Sequence, residues 1–212
     1  MGPQDVQDAR QEYETLKDTG EYGAARDADA ALLARYAAGD AAAARLLSAR
    51  LAPRAFAHAF RVLGERAEAE DVTQEAMLRL WKQAPEWDVG RAQASTWLYR
   101  VVANLCLDRL RRTRPDTLDE MDAPADPAPR IETRLQDAAR HDALQTALLR
   151  LPEWQRQAVV LRHLEGLANP QIAEILDIGV EAVESLTARG KRALTADLAA
   201  QRDALGYSDD TT

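Results

Sequence analysis

Between residues 95 and 114 apolar side chains recur at helical spacing. Leu98, Val101, Val102, Leu105 and Cys106 share one face at 3.6 residues per turn, which predicts a helix docked on a core. The other side is chemically unusual. Trp97, Arg100, Asn104, Asp108 and Arg111 follow at intervals of three or four, so an indole, two guanidiniums and an amide line one exposed stripe. Arg109, Arg112 and Arg114 add charge at its far end. An aromatic stacker followed by cations suits a nucleic-acid strand, in which bases stack and phosphates need counter-charge. The competing reading is a solvated basic face with Trp97 as a core anchor, since basic helix ends also complement the helix dipole.

Upstream, residues 1–26 are polar, with Tyr13, Leu16 and Tyr22 scattered among them, and read as a mobile acidic extension. From Ala28 the period becomes helical, with Leu32, Leu33 and Tyr36 in a stripe. Gly39 offers a stop and Asp40 a cap for a second helix through Leu46, Leu47 and Leu51. Pro53 is expected to interrupt that helix and open a third segment with Phe56, Phe60 and Leu63 inward, closing at Gly64. His58 has no second ligand or nucleophile near it in sequence and reads as a bystander. Residues 65–85 predict a helix with Val72, Ala76, Met77 and Leu80 on its apolar side. The opposite side carries Asp71, Gln74, Glu75, Leu78, Arg79 and Trp81. A solvated face rarely needs Leu78 and Trp81, so a protein-binding surface is one reading and packing on neighbouring helices the other.

Downstream the regime changes. Residues 115–130 hold four prolines and five acids, which describes a flexible linker. A helical run through Leu135, Ala139, Leu144, Ala147 and Leu148 then leads to Leu151-Pro152, where proline suits the first turn of a helix carrying Ala158, Val159, Leu161 and Leu164. That helix should end at Glu165-Gly166. Asn169 is expected to cap, and Pro170 to open, a short helix stopping near Asp177. Ile172, Leu176, Ile178, Val183 and Leu186, with small Ala173 at the crossing, have the spacing of a helix-turn-helix core. Its second helix, residues 180–199, would expose Glu181, Ala182, Glu184, Ser185, Ala188, Arg189, Lys191 and Arg192. The cations suit phosphates, and Glu184 could accept from cytosine N4 in a major groove. Gly190 within it costs about 1 kcal/mol of helix propensity. Residues 206–212 are a polar tail.

These elements amount to an all-α protein: two small helical domains, residues 27–114 and 131–205, joined by a flexible acidic linker, the second containing a helix-turn-helix. Composition narrows the class further. A single cysteine, Cys106, excludes an internal disulfide, and no Cys/His spacing suggests a metal site. Asp71 and Glu75 could form a catalytic acid pair, but with no nucleophile, phosphate loop or cofactor motif beside them no catalytic residue, metal or cofactor is expected. No run of 18 apolar residues and no signal peptide is seen, so a cytoplasmic protein is expected. The net charge of −8 is unevenly spread: residues 41–114 carry 13 basic against 8 acidic side chains, and each remaining stretch is acidic. Acidic flanks lower non-specific DNA affinity, so help from a partner is expected before DNA is bound.

The run Glu70-Asp71-Val72-Thr73-Gln74-Glu75-Ala76-Met77-Leu78-Arg79-Leu80-Trp81, followed by Ser95-Thr96-Trp97-Leu98-Tyr99-Arg100-Val101-Val102-Ala103-Asn104, resembles the bacterial extracytoplasmic-function (ECF) sigma factors. The resemblance implies that Asp71, Gln74, Glu75, Leu78, Arg79 and Trp81 bind the β′ coiled coil of core RNA polymerase. It also implies that Arg91, Ser95, Thr96, Trp97, Tyr99, Arg100, Asn104, Arg111 and Arg112 recognise and open the minus-ten element. The loop of residues 86–94 should hold a base flipped from the non-template strand, with Gly90 allowing close backbone approach and Arg91 supplying a cation. In the second domain, Glu181, Ala182, Glu184, Ser185, Arg189, Lys191 and Arg192 should read the minus-thirty-five element, beside a contact with the β flap. An acidic linker in this family threads near the RNA exit path, and an anti-sigma factor commonly holds members inactive. A reading from another class is a sigma-like decoy that occupies an anti-sigma factor without engaging promoters, motivated by the acidic charge and by Glu181 and Glu184. Against it stand Trp97, Arg100, Asn104, Arg111 and Arg112, which a decoy has no reason to keep.

Overall fold

A computed structural model describes residues 21–87, 93–113 and 132–199. The first domain comprises α1 (Glu21–Ala37), α2 (Ala41–Leu63), α3 (Arg66–Gln83), a 3-10 turn (Ala84–Glu86) and α4 (Ala94–Thr113). The second comprises α5 (Glu132–Arg150), α6 (Glu153–Val159), a π turn (Val160–Leu164), α7 (Asn169–Leu176) and α8 (Val180–Ala199). The expected linker at 115–130, the first twenty residues and the C-terminal tail lie outside the described residues. None of the described helices is long and apolar enough to cross a membrane.

Local chemistry places the boundaries. α1 begins at Glu21, ahead of the apolar stripe, because Ala-rich sequence favours helix without needing a buried face. Gly39 turns the chain at φ 96°, and Asp40 caps α2 through Oδ1, which accepts from the backbone N–H of Ala42 at 2.8 Å and Ala43 at 3.3 Å. Arg35 holds the other oxygen of Asp40 at 2.6 Å, and these bonds lower the pKa of the carboxyl below the usual aspartate range. At the far end Gly64 takes φ 80°, donating to Phe60 O at 2.8 Å, and Glu65 caps α3 by accepting from Ala67 and Glu68.

Pro53 does not open a new segment: α2 runs through it unbroken. Proline deprives the Ala49 carbonyl of its helical donor, but both residues sit on the exposed side, where water can serve that oxygen. The helix therefore keeps the register set by Ala43, Leu47 and Leu51, and its buried line continues through Ala55, His58, Ala59 and Val62. Phe56, Phe60 and Leu63, expected at the centre, pack half-buried around the core, and Leu46 is 53% exposed.

α7 is capped at Ala168 rather than at Asn169. Gln171 folds back so that its side-chain oxygen accepts from the Ala168 N–H at 2.9 Å, leaving Asn169 as the first helical residue. Likewise Pro152 stands just before α6 rather than within its first turn. Ile172, Ile175, Leu176 and Val183 are buried where α7 and α8 meet, with Ala173, Ile178 and Leu186 packed against them, and Asp177 closes α7 at φ 56°. This is the helix-turn-helix read from the sequence. The π turn after α6 was not expected. Its wide loop is closed by Glu165 N–H to Val160 O at 3.0 Å, and it brings Glu165 round towards the first domain.

The two domains pack directly on one another. Tyr99 and Ala103 of α4 share one apolar cluster with Ala158, Leu161, Leu167, Ile172, Ile175 and Val183 of the second domain. Gly64 permits the approach of α5, since a Cβ there would lie 2.6 Å from Leu149 Cδ1.

Candidate nucleic-acid interface

α4 is held by the first-domain core, by α3 and, through Tyr99 and Ala103, by the second domain. Leu98, Val102, Leu105 and Cys106 pack into the first-domain core, and burial pushes the Cys106 thiol up to about 12, so it is an inert packing group. Arg109 reaches across to α3, where it pairs with the Glu68 carboxylate at 2.9 Å and donates to the Glu68 carbonyl. That leaves Arg109 as a brace between helices rather than part of a basic end. The expected stripe is otherwise present: Arg100, Asn104, Asp108, Arg111 and Arg112 are all exposed. Their internal ion pairs are loose, Arg111 to Asp108 at 3.9 Å and Arg100 to Asp177 at 3.8 Å, so the guanidiniums keep most of their capacity for a phosphate.

Trp97 is half-buried, standing edge-on to Trp87 with ring centroids 5.9 Å apart. The indole is therefore packed on one side as a core anchor and accessible on the other. Ser95 is partly accessible, whereas Thr96 and Tyr99 are buried. Thr96 and Tyr99, which the resemblance groups with the minus-ten contacts, are thus off the exposed side in this arrangement: they lie about 100° round the helix from Trp97 and Arg100, on the sides that meet protein. Arg91 and Gly90, assigned to the base-flipping loop, fall outside the described residues.

On α3, Asp71, Gln74, Leu78 and Arg79 are exposed and Glu75 is partly so, with Glu75 and Arg79 paired at 2.5 Å. Leu78 is 52% exposed, an apolar side chain with no covering neighbour among the described residues. Trp81 differs, packing on Tyr36 with centroids 4.8 Å apart, so part of its surface belongs to the core. On α8, Glu181, Ala182, Glu184, Ser185, Ala188, Arg189, Lys191 and Arg192 are exposed, as their helical spacing requires.

Sequence reasoning missed a set of polar groups at the domain boundary. His58 is fully buried, and its Nε2 lies 3.0 Å from Gln157 Oε1. The Gln157 amide nitrogen donates to Ala103 O at 3.0 Å, so its oxygen faces His58 and the imidazole is the neutral tautomer carrying its proton on Nε2. Burial lowers the His58 pKa to about 4. Arg156 of the second domain donates to Val62 O, a carbonyl in the last turn of α2, and Gln145 donates to Phe60 O, which also accepts from the Gly64 N–H. Arg156 also donates to Leu149 O at 2.6 Å and Leu151 O at 3.1 Å. Glu165 accepts from Arg61 and from Tyr99. One signal was available: Arg156-Gln157 directly precedes the apolar run Ala158-Val159-Val160-Leu161, and polar groups so placed in a core helix need partners.

Residues 47–115 match the family model for Sigma-70 region 2, and residues 141–194 match that for Sigma-70 region 4. The ECF RNA polymerase sigma factor SigW of Bacillus subtilis is 32% identical over 150 residues, covering 66% of this chain and 80% of its own. The ECF RNA polymerase sigma factor SigM of Mycobacterium tuberculosis is 34% identical over 169 residues, covering 78% and 82%. The chain belongs to the ECF RNA polymerase sigma factors. Among solved structures, CnrH in complex with the cytosolic domain of CnrY aligns with this sigma factor at a TM-score of 0.62 and 28% identity, over 82% of this chain and 99% of that one. The sigma factor RpoE in complex with the anti-sigma factor NepR, from Bartonella quintana, shares the fold at a TM-score of 0.59 and 21% identity, over 74% and 98%. α1 begins ahead of the first matched region, which takes in most of α2 and all of α3 and α4, and the second takes in all of α7 and most of α8 of this sigma factor.

Proposed function

We propose that the exposed side of α4 grips the minus-ten strand as the promoter opens, that α8 reads the minus-thirty-five element, and that the exposed side of α3 docks on the β′ coiled coil of core polymerase. The protein is an alternative sigma factor, a non-enzymatic regulator that binds core RNA polymerase and directs promoter recognition. Its work is done by binding energy alone. Stacking on Trp97 and phosphate contacts from Arg100, Arg111 and Arg112 offset the cost of unpairing. The observation that carries this reading is the exposure of Arg100, Asn104, Arg111 and Arg112 in a row along one helix whose opposite face is core. Exposed Leu78 amid Asp71, Gln74 and Arg79 supports the α3 surface as a protein contact. The cytoplasm is the compartment such a factor works in, and an anti-sigma factor is the partner expected to restrain it. The decoy alternative is not favoured, since the chain matches the models of both Sigma-70 regions and is similar to the ECF RNA polymerase sigma factors SigW and SigM.

Transcription by purified core polymerase over a promoter library tests the reading. The intact chain should yield promoter-specific transcripts, and Trp97→Ala or Arg111→Ala should reduce them at least tenfold while binding to core is retained. Unchanged transcription in both variants would place the strand contact elsewhere.

A further inference from the structure

We propose that Arg61 and Tyr99, with Arg54 beside them, form a seat for a phosphodiester of single-stranded promoter DNA, and that in the closed molecule this seat is filled by Glu165 of the second domain. The inference rests on the reading of α4 as the strand-gripping helix and adds to it a binding site and an internal competitor.

Glu165 stands at the end of the π turn with its side chain only 7% exposed. Its two oxygens are bound separately by the other domain: Arg61 Nη1 of α2 donates to Oε1 at 2.6 Å, and the Tyr99 hydroxyl of α4 donates to Oε2 at 2.5 Å. The Arg54 guanidinium, two turns before Arg61 on α2, lies 5.6 Å from the centre of the Tyr99 ring. A cation and a hydroxyl converging on two oxygens of one anion, with a second cation nearby, is the donor set that a phosphodiester needs. A carboxylate can take that place because it too offers two acceptor oxygens and one negative charge.

Position supports the assignment. Tyr99 adjoins Arg100, so the seat borders the exposed stripe and a strand lying along Arg100 and Asn104 would pass its mouth. Arg100 itself faces a second acid of the other domain, Asp177, at 3.8 Å. Two acids of the second domain thus face cations of the first, where residues 41–114 carry the chain's excess of positive charge. A buried carboxylate left without its donors is costly, so Glu165 holds the domains together until another anion or solvent replaces it. Separation of the domains then exchanges one anion for another at Arg61 and Tyr99, and Glu165 returns to water.

The experiment is fluorescence anisotropy of the full chain, without polymerase, against a fluorescein-labelled single-stranded 15-mer of mixed sequence, over a range of salt concentrations. Mixed sequence isolates phosphate binding from base recognition. Glu165→Gln should tighten binding about fivefold and steepen the salt dependence by about 0.7 in log–log slope, the contribution of one phosphate on a single strand. Adding Arg61→Ala to Glu165→Gln should return both quantities to those of the parent chain, and adding Tyr99→Phe, which removes an uncharged donor, should return the affinity while the slope stays steep. Circular dichroism confirms that each variant is folded, and Tyr99→Phe, which loses only a hydroxyl, serves if Arg61→Ala is not. Unchanged affinity in Glu165→Gln would overturn the proposal, as would a gain that survives removal of the Arg61 and Tyr99 donors. Loss of promoter-specific transcription in Trp97→Ala is read separately, so a failure of the seat and a failure of the α4 reading are told apart.

Discussion

His58 shows how a residue with no motif around it acquires a role from the fold. In sequence it has no chemical neighbour; in space it bridges the domains through Gln157, with the Tyr99 ring edge-on at 5.6 Å and the Arg61 cation disfavouring its protonation. Its pKa falls from an ordinary 6.5 to about 4 because the charged ring would be buried. Between those values the unfolded chain binds a proton that the folded chain refuses, so stability falls as pH drops. The contribution is complete above about pH 6.5 and declines towards pH 4, by about 3 kcal/mol in all. Urea denaturation across this window should show that slope in the parent and its loss in His58→Gln. An equal slope in both would refute it. His163, an exposed residue, also titrates low, from partial desolvation of its ring first, but is common to both proteins and cancels in the comparison. Tyr99 teaches the same lesson from the other side. The family resemblance makes Tyr99 a nucleotide contact, and in the closed molecule a rotation of about 100° per residue places it at the boundary with the second domain, where burial and Glu165 raise its pKa.

At the scale of elements, period and punctuation carried most of the fold. The apolar faces of α3, α4, α7 and α8, the glycine stops at Gly39 and Gly64 and the Asp40 cap are local matters, and local patterns report them. What local patterns missed depends on partners distant in sequence. Pro53 looked like a boundary, and only the exposure of that side of α2 explains why the helix tolerates it. Gly190 looked like a defect in α8. In fact it is buried where α8 crosses α6, and a Cβ there would lie 2.5 Å from Val159 Cγ2 and 3.3 Å from Gln155 O. Helix propensity alone would have Gly190→Ala stabilise the protein by about 1 kcal/mol. Overpacking against a stiff, buried valine costs about 1–3 kcal/mol, so the variant should be less stable than the parent. A raised midpoint in thermal unfolding would contradict this.

For the molecule as a whole, two helical domains and the surfaces exposed on α3, α4 and α8 were legible, because each domain buries its own amphipathic helices and leaves a chemically distinct face outside. Their mutual packing was not. It rests on polar pairs far apart in sequence, His58 with Gln157, Arg61 with Glu165 and Arg156 with the end of α2, and no periodicity encodes such pairs. The closed arrangement leaves the α4 stripe exposed while it covers Tyr99, so the helix proposed to grip the strand presents only part of that surface in this arrangement. The central claim is that this stripe contacts unpaired DNA in the initiation complex. Photocrosslinking tests it most directly, with p-benzoylphenylalanine replacing Asn104 in the polymerase-bound sigma factor on an opened promoter. The expected result is a crosslink confined to minus-ten nucleotides of the non-template strand; crosslinks to protein alone, in a complex that still initiates transcription, would contradict it.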